Sequence, residues 1–154
     1  RALLRLMQAE DAEARDRMAW TSLCGGIALA NGGLGAVHGL AGVIGGVTPA
    51  AHGAICGALL GPVIAMNRQH APDPARLHEV CALIAADLAV DAAHAPQALV
   101  DWARGCGLPG LVALGLDPAQ HQAVAKASLS SSSMKGNPFA PDPALLCDIL
   151  RAAG

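Results

Sequence analysis

His38 and His52 are the only His, Asp, Glu, Lys or Arg residues in positions 18–67, a run of fifty residues between Arg17 and Arg68. A neutral imidazole is the commonest protein ligand for a transition metal, and near neutral pH it also serves as a general acid or base. Set in an apolar wall, it needs a hydrogen-bond partner or a ligand. Taken singly, each of these histidines reads as a core residue whose ring N–H bonds a backbone carbonyl. Taken together they point to a shared metal. Both lie in the same uncharged run, each is followed by a glycine (Gly39 and Gly53), and a turn between them would bring two consecutive helices side by side. Two ligands are too few, because tetrahedral sites take three or four protein donors. His70, His78, His94 and His121 fall in polar or connecting contexts and are set aside. The run offers no acidic ligand, so the missing donors must come from sequence outside this chain or from another molecule.

The elements that must position the pair read as helices throughout. Apolar residues recur at spacings of three and four, and no alternating strand pattern persists. The expected fold class is all-α, a helical bundle forming a single domain over residues 1–154. The opening RALLRLMQAEDAEARDRM reads as helix in mid-course, and Asp11 is expected to cap a helix running from Ala12 to about Ala30, where Asn31-Gly32-Gly33 break it. A helix from near Leu34 carries His38. Gly45-Gly46 and Thr48-Pro49 mark the next break, and His52 opens or just precedes a helix with a face of Cys56, Leu59 or Leu60, Val63 and Met66, bent at Pro62. Asp73-Pro74, Asp117-Pro118 and Asp142-Pro143 each place a capping carboxylate before a proline suited to the first helical position. Leu77, Val80, Cys81, Ile84 and Leu88 form one stripe, with His78 and Glu79 off it. Pro96 opens a helix through Leu99, Trp102 and Ala103 that stops by Gly105 or Gly107. Asp117 and Gln120 form a capping box for the helix carrying Val124. Ser130 to Ser133 and Gly136 to Phe139 read as loop, and Leu145, Leu146, Ile149 and Leu150 as a closing helix.

Composition removes several function classes. A net charge of −2, with two Trp, one Phe and no Tyr, gives neither the electrostatics nor the stacking rings that nucleic-acid binding needs. At 154 residues the chain holds one domain and cannot contain a complete two-lobed enzyme. It starts at Arg1 without a secretory signal pattern and reads as a piece of a longer protein. Five widely spaced cysteines without a C-x-x-C pair look like small core residues in a reducing, cytoplasmic compartment. The uncharged run is long enough for a membrane hairpin. It is built from Ala and Gly rather than Leu, Ile and Phe, however, and it holds Asn31, Pro49, two His and Asn67. Burial in a protein interior is the expected alternative.

The string NGGLGAVHGLAGVIGGVTPAAHGAICGALLGPVIAMN, Asn31 to Asn67, resembles the metal-binding signature of the iron-containing (group III) alcohol dehydrogenases, within the dehydroquinate synthase-like superfamily. The matching positions are Asn31, Leu34-Gly35, His38, Gly45-Gly46 and His52-Gly53. DAEARDRM before them and GNP at Gly136 to Pro138 after them follow in family order. The resemblance implies the C-terminal helical domain of a two-domain NAD- or NADP-dependent oxidoreductase acting on a small-molecule alcohol or carbonyl substrate. It also implies a divalent metal, Fe2+ first and Zn2+ second, held by an Asp and three His, of which His38 and His52 match the last two. The other two ligands and the dinucleotide-binding domain would lie before Arg1, a homodimer is the assembly it suggests, and the chain alone would be inactive. Many members carry a proton-relay His four residues after the first of these ligands, and Gly42 stands there. The competing expectation is a non-catalytic helical scaffold or interaction module with His38 and His52 as core residues.

Overall fold

The computed structural model describes residues 1–154, which form eight α-helices and two short 3-10 turns without a strand. The all-α expectation is met. The chain divides into two compact units, Arg1–Gly33 and Leu34–Gly154.

The first unit holds α1 (Ala2–Leu6) and α2 (Ala12–Gly32). The opening is therefore two helices rather than one in mid-course. The break falls where Asp11 leaves the helical region and its Oδ1 accepts the Ala14 N–H at 2.9 Å, satisfying a donor that a continuing helix would have used otherwise. Asn31 stays helical, its Nδ2 donating to the Ile27 carbonyl at 2.8 Å, and α2 stops only where Gly33 adopts φ +73°. Arg5 pairs with Asp11 and Glu13, Arg17 with Glu13, and Arg15 with Glu10, all on the surface. A five-residue α1 cannot cover a helix of twenty-one residues. Only Ala14 of α2 is buried, while Trp20, Leu23 and Ile27 remain 67%, 56% and 57% exposed. Within residues 1–154 the first part of the uncharged run is therefore left uncovered. No single helix in the chain is long and apolar enough to cross a membrane.

The second part of the run does form a core. In the second unit, α3 (Ala36–Val47) and α4 (His52–His70) bury Leu40, Ile44, Ile55 and Leu59 completely. Leu111 and Leu116, α7 (His121–Ser128) and α8 (Pro143–Ala152) complete the cluster with Val124, Leu146 and Leu150. Small residues set how closely these elements approach. A Cβ on Gly61 of α4 would meet the Pro96 carbonyl of α6 (Ala95–Gly105) at 2.7 Å, and one on Gly39 would meet the Met134 methyl at 2.8 Å. Cys81 and Ala85 of α5 (Ala75–Leu88) pack with Ala95 in a smaller cluster.

Several boundaries differ from the sequence expectation. Gly45 and Gly46 lie inside α3, because the helix continues to Thr48, whose hydroxyl donates to the Ile44 carbonyl at 3.0 Å. Helix α4 keeps Pro62 inside it, as expected, but runs on to His70. Asp73 caps α5 from one residue further out, accepting from Ala75 N at 3.0 Å, with Pro74 at the cap position itself. Asp117 and Gln120 make their capping box on a 3-10 turn, Pro118–Gln120, after which α7 begins at His121. Asp142 caps α8 as expected, through Leu145 N at 2.8 Å. Residues Ser132–Gly136 form a second 3-10 turn rather than open loop. Val80 is exposed, leaving Cys81 as the fully buried member of its stripe. Among the cysteines only Cys81 and Cys147 are buried; Cys24 and Cys106 are exposed, and all five are unpaired.

Candidate metal centre

His38 occupies the first turn of α3 and His52 is the first residue of α4. A tight turn after Val47 would leave them at opposite ends of a helical hairpin. Instead, the link Thr48–Ala51 has extended backbone at both ends. Four extended residues span about 13 Å, close to the ~13.5 Å that an α-helix rises over the nine residues from His38 to Val47. A link with that reach is long enough to return the chain toward the start of α3. The two ring centroids lie 5.5 Å apart with their planes inclined at 46°.

The start of α3 is fixed from a distant part of the chain. Its cap residue is Gly35, which has no side chain to offer the free N–H groups, and the Ala36 N–H is taken by Asn137 Oδ1 at 3.3 Å. The same amide donates through Nδ2 to the Phe139 carbonyl at 2.9 Å. Gly136 lies so close to Leu34 that a Cβ there would come within 1.9 Å of the Leu34 carbonyl oxygen. The Gly-Asn-Pro segment thus clamps the helix that carries His38.

The structure brings a third residue able to bind metal to the pair, one that the sequence placed only on a helix face. Cys56 follows His52 by one helical turn, its Sγ is 3.4 Å from His52 Nε2, and one ring nitrogen from each of His38 and His52 lies, with the Cys56 Sγ, in a group within 4.8 Å of one another. The signal was present in the i, i+4 spacing, which places both side chains on one face of a helix. What the spacing could not show is that this face is the one turned to His38. His38 and Cys56 are half-buried and His52 is exposed, so the group sits in an open wall. Burial pushes the Cys56 thiol above its usual pKa. Two imidazoles and a thiol without a carboxylate suit a first-row transition metal and not Ca2+ or Mg2+, which take oxygen ligands.

The remaining histidines stay apart from this group. His70 is exposed and stacks against Phe139, with ring centroids 5.6 Å apart, and His78 and His94 are exposed. His121 differs from its expected polar setting. It is only 7% exposed, and its Nε2 is buried without a hydrogen-bond partner. Burial lowers its pKa, the Arg151 charge lowers it further, and Asp117 acts in the opposite sense. It is the first residue of α7, directly after the 3-10 turn that Asp117 caps. Gly42, one turn beyond His38, is exposed, and a Cβ built there meets nothing within 4 Å.

The profile of the Fe-containing alcohol dehydrogenase family, C-terminal, matches residues 2–154. The chain belongs to this family. It is 28% identical over 134 residues to choline dehydrogenase of Bacillus subtilis (strain 168), covering 84% of this chain and 33% of that protein. The crystal structure of a 1,3-propanediol oxidoreductase superposes with a TM-score of 0.79 at 26% identity, over 92% of this chain and 38% of that one. The chain thus spans between 33% and 38% of these relatives, and its all-α fold is that of the C-terminal part of iron-containing alcohol dehydrogenases. Both relatives are named as dehydrogenases or oxidoreductases.

Proposed function

We propose that this chain is the metal-holding helical domain of an NAD- or NADP-dependent oxidoreductase that interconverts an alcohol with an aldehyde or ketone. The observation that carries the reading is the convergence of His38 and His52, from two helices and across a run without charge, in a chain matched to the iron-containing family over its length. Fe2+ is the metal that the family description favours, and Zn2+ suits the same donors. When bound, the metal supplies Lewis-acid polarisation of the substrate oxygen while the nicotinamide takes or gives hydride.

The chain's own residues hold and shape this site. His38 and His52 offer neutral imidazole nitrogens, and Asn137 fixes the start of the helix that aims His38. Exposed His52, with bare Gly42 and Gly53 beside the pair, leaves room in front of the wall for a small alcohol or carbonyl compound. With Gly42 at the position where many family members carry a relay histidine, the proton passes through water, a cofactor hydroxyl or another side chain.

The nicotinamide-binding lobe and the remaining ligands belong, in this reading, to sequence outside residues 1–154. The domain acts within a homodimer, and its five unpaired cysteines suit a reducing cytoplasm. The test is metal content and NAD(P)-linked turnover of primary and secondary alcohols by the complete protein, compared with His38→Ala and His52→Ala. Each variant should lose metal affinity by more than about 100-fold, the upper end of what loss of an outer-shell partner costs. Unchanged metal content in both would remove the assignment. Residues 1–154 alone should show no turnover, and NAD(P)H consumption by the isolated chain would overturn that part.

A further inference from the structure

We propose that Cys56 is a ligand of the same centre, its thiolate joining His38 and His52 in a donor set that favours Zn2+ over Fe2+. The inference rests on the metal reading above and goes beyond it, because the resemblance that supplied His38 and His52 supplies an Asp and a third His as further ligands, not a cysteine.

The geometry is that of a binding group. In a tetrahedral site with metal–nitrogen distances of about 2.0–2.1 Å and a metal–sulfur distance of about 2.3 Å, neighbouring ligand atoms lie roughly 3.3–3.6 Å apart. The Cys56 Sγ and His52 Nε2 are separated by 3.4 Å. The third donor, on His38, lies within 4.8 Å of both, so a modest rotamer adjustment closes the set. Two ligands at i and i+4 on one helix, joined by one from a neighbouring helix, is also the arrangement that the helical zinc motif with paired histidines uses.

Donor chemistry decides the metal. A thiolate is the softest ligand a protein offers, and nitrogen with sulfur in tetrahedral array selects Zn2+ among the divalent ions available. On coordination the S–H bond breaks and its proton passes to solvent, so uptake through Cys56 releases one proton and changes no oxidation state. Exposed His52 leaves one side of the group open, the side from which ligands outside residues 1–154 would approach. The chain's other cysteines do not compete. Cys24 and Cys106 are exposed and Cys81 and Cys147 buried, and none of the four joins this histidine group.

The test uses Co2+ as a spectroscopic stand-in, titrated into the metal-free protein without oxygen. Wild-type protein should develop both the visible bands of a tetrahedral centre and a near-ultraviolet sulfur-to-cobalt charge-transfer band. Cys56→Ser should lose the charge-transfer band and weaken binding by at least about tenfold. Equilibrated with equal Fe2+ and Zn2+, it should retain a lower Zn:Fe ratio than wild type. Independently of any variant at position 56, Zn2+ should protect Cys56 from alkylation while Cys24 and Cys106 react freely, and His52→Ala should abolish that protection. Stoichiometric Co2+ binding without a sulfur band, unchanged in Cys56→Ser, would overturn the thiolate ligand and leave the histidine pair standing. Absence of binding in wild-type protein, or binding indifferent to His38→Ala and His52→Ala, would overturn both.

Discussion

Asn137 accepts the backbone N–H of Ala36 across 101 residues of chain, and so supplies from the far end of the second unit the cap that Gly35 cannot. Replacing an Asn, Asp, Ser or Thr cap by Ala costs about 0.5–2 kcal/mol. Asn137→Ala should fall in this range in a urea titration. It should also weaken metal binding, since the freed turn is the one that holds His38. Full retention of metal affinity with reduced stability would show that the clamp supports the fold and not the site.

Gly136 and Gly45 form a matched pair for a second test. A Cβ at Gly136 would stand 1.9 Å from the Leu34 carbonyl oxygen, a backbone atom that cannot yield without moving the start of α3, whereas one at Gly45 meets nothing within 4 Å. Gly136→Ala should destabilise the protein by more than about 2 kcal/mol, in the upper range of overpacking effects. Gly45→Ala, in an exposed helix interior, should stabilise it by roughly 0.5–1 kcal/mol. Equal melting temperatures for the two variants would contradict the close approach.

Leu40 is fully buried two residues beyond His38. Leu40→Ala should cost about 2–5 kcal/mol, as large-to-small changes in close-packed cores do. Val80→Ala, at a site 40% exposed, should change stability by no more than about 0.5 kcal/mol. Denaturation midpoints of the two variants check the difference.

His121 should make stability depend on pH. Its folded pKa lies below the ordinary value near 6.5, chiefly through burial and then through Arg151, so the unfolded chain binds the proton more readily. This stability is fully present above about pH 6.5 and is lost as pH falls through the folded pKa. His121→Gln should flatten that slope between pH 7 and pH 5. Identical slopes for variant and wild type would exclude His121 as the source.

Gly42 faces open space, so Gly42→His should be accommodated. The change in helix stability should stay within about 0.5 kcal/mol, since the two residues differ little in helix propensity. In the complete protein, the pH profile of kcat should acquire a titration that the wild type lacks. A profile identical to wild type would show that an imidazole at this position takes no part in proton transfer.

Sequence alone determined the helical class, because apolar spacing and capping residues are local. Asp11 and Asp142 cap where the pattern says they should, and α6 ends at Gly105. His38 and His52 were also legible, since two histidines in fifty residues without an Asp, Glu, Lys or Arg need no structure to be noticed. Tertiary structure decided what surrounds them. Glycine is read from sequence as a breaker, yet Gly45 and Gly46 remain helical because Thr48 and Pro49 end α3 after them, and the extended link returns the chain to His38. Burial cannot be read from hydropathy when coverage depends on a neighbour: α2 is as uncharged as α3 over most of its length but keeps its apolar side chains exposed. Cys56 makes the same point at the site. Its spacing from His52 is local and visible, but its nearness to His38 depends on how α3 and α4 pack, which involves Leu40, Ile44, Ile55, Leu59 and an asparagine about a hundred residues away.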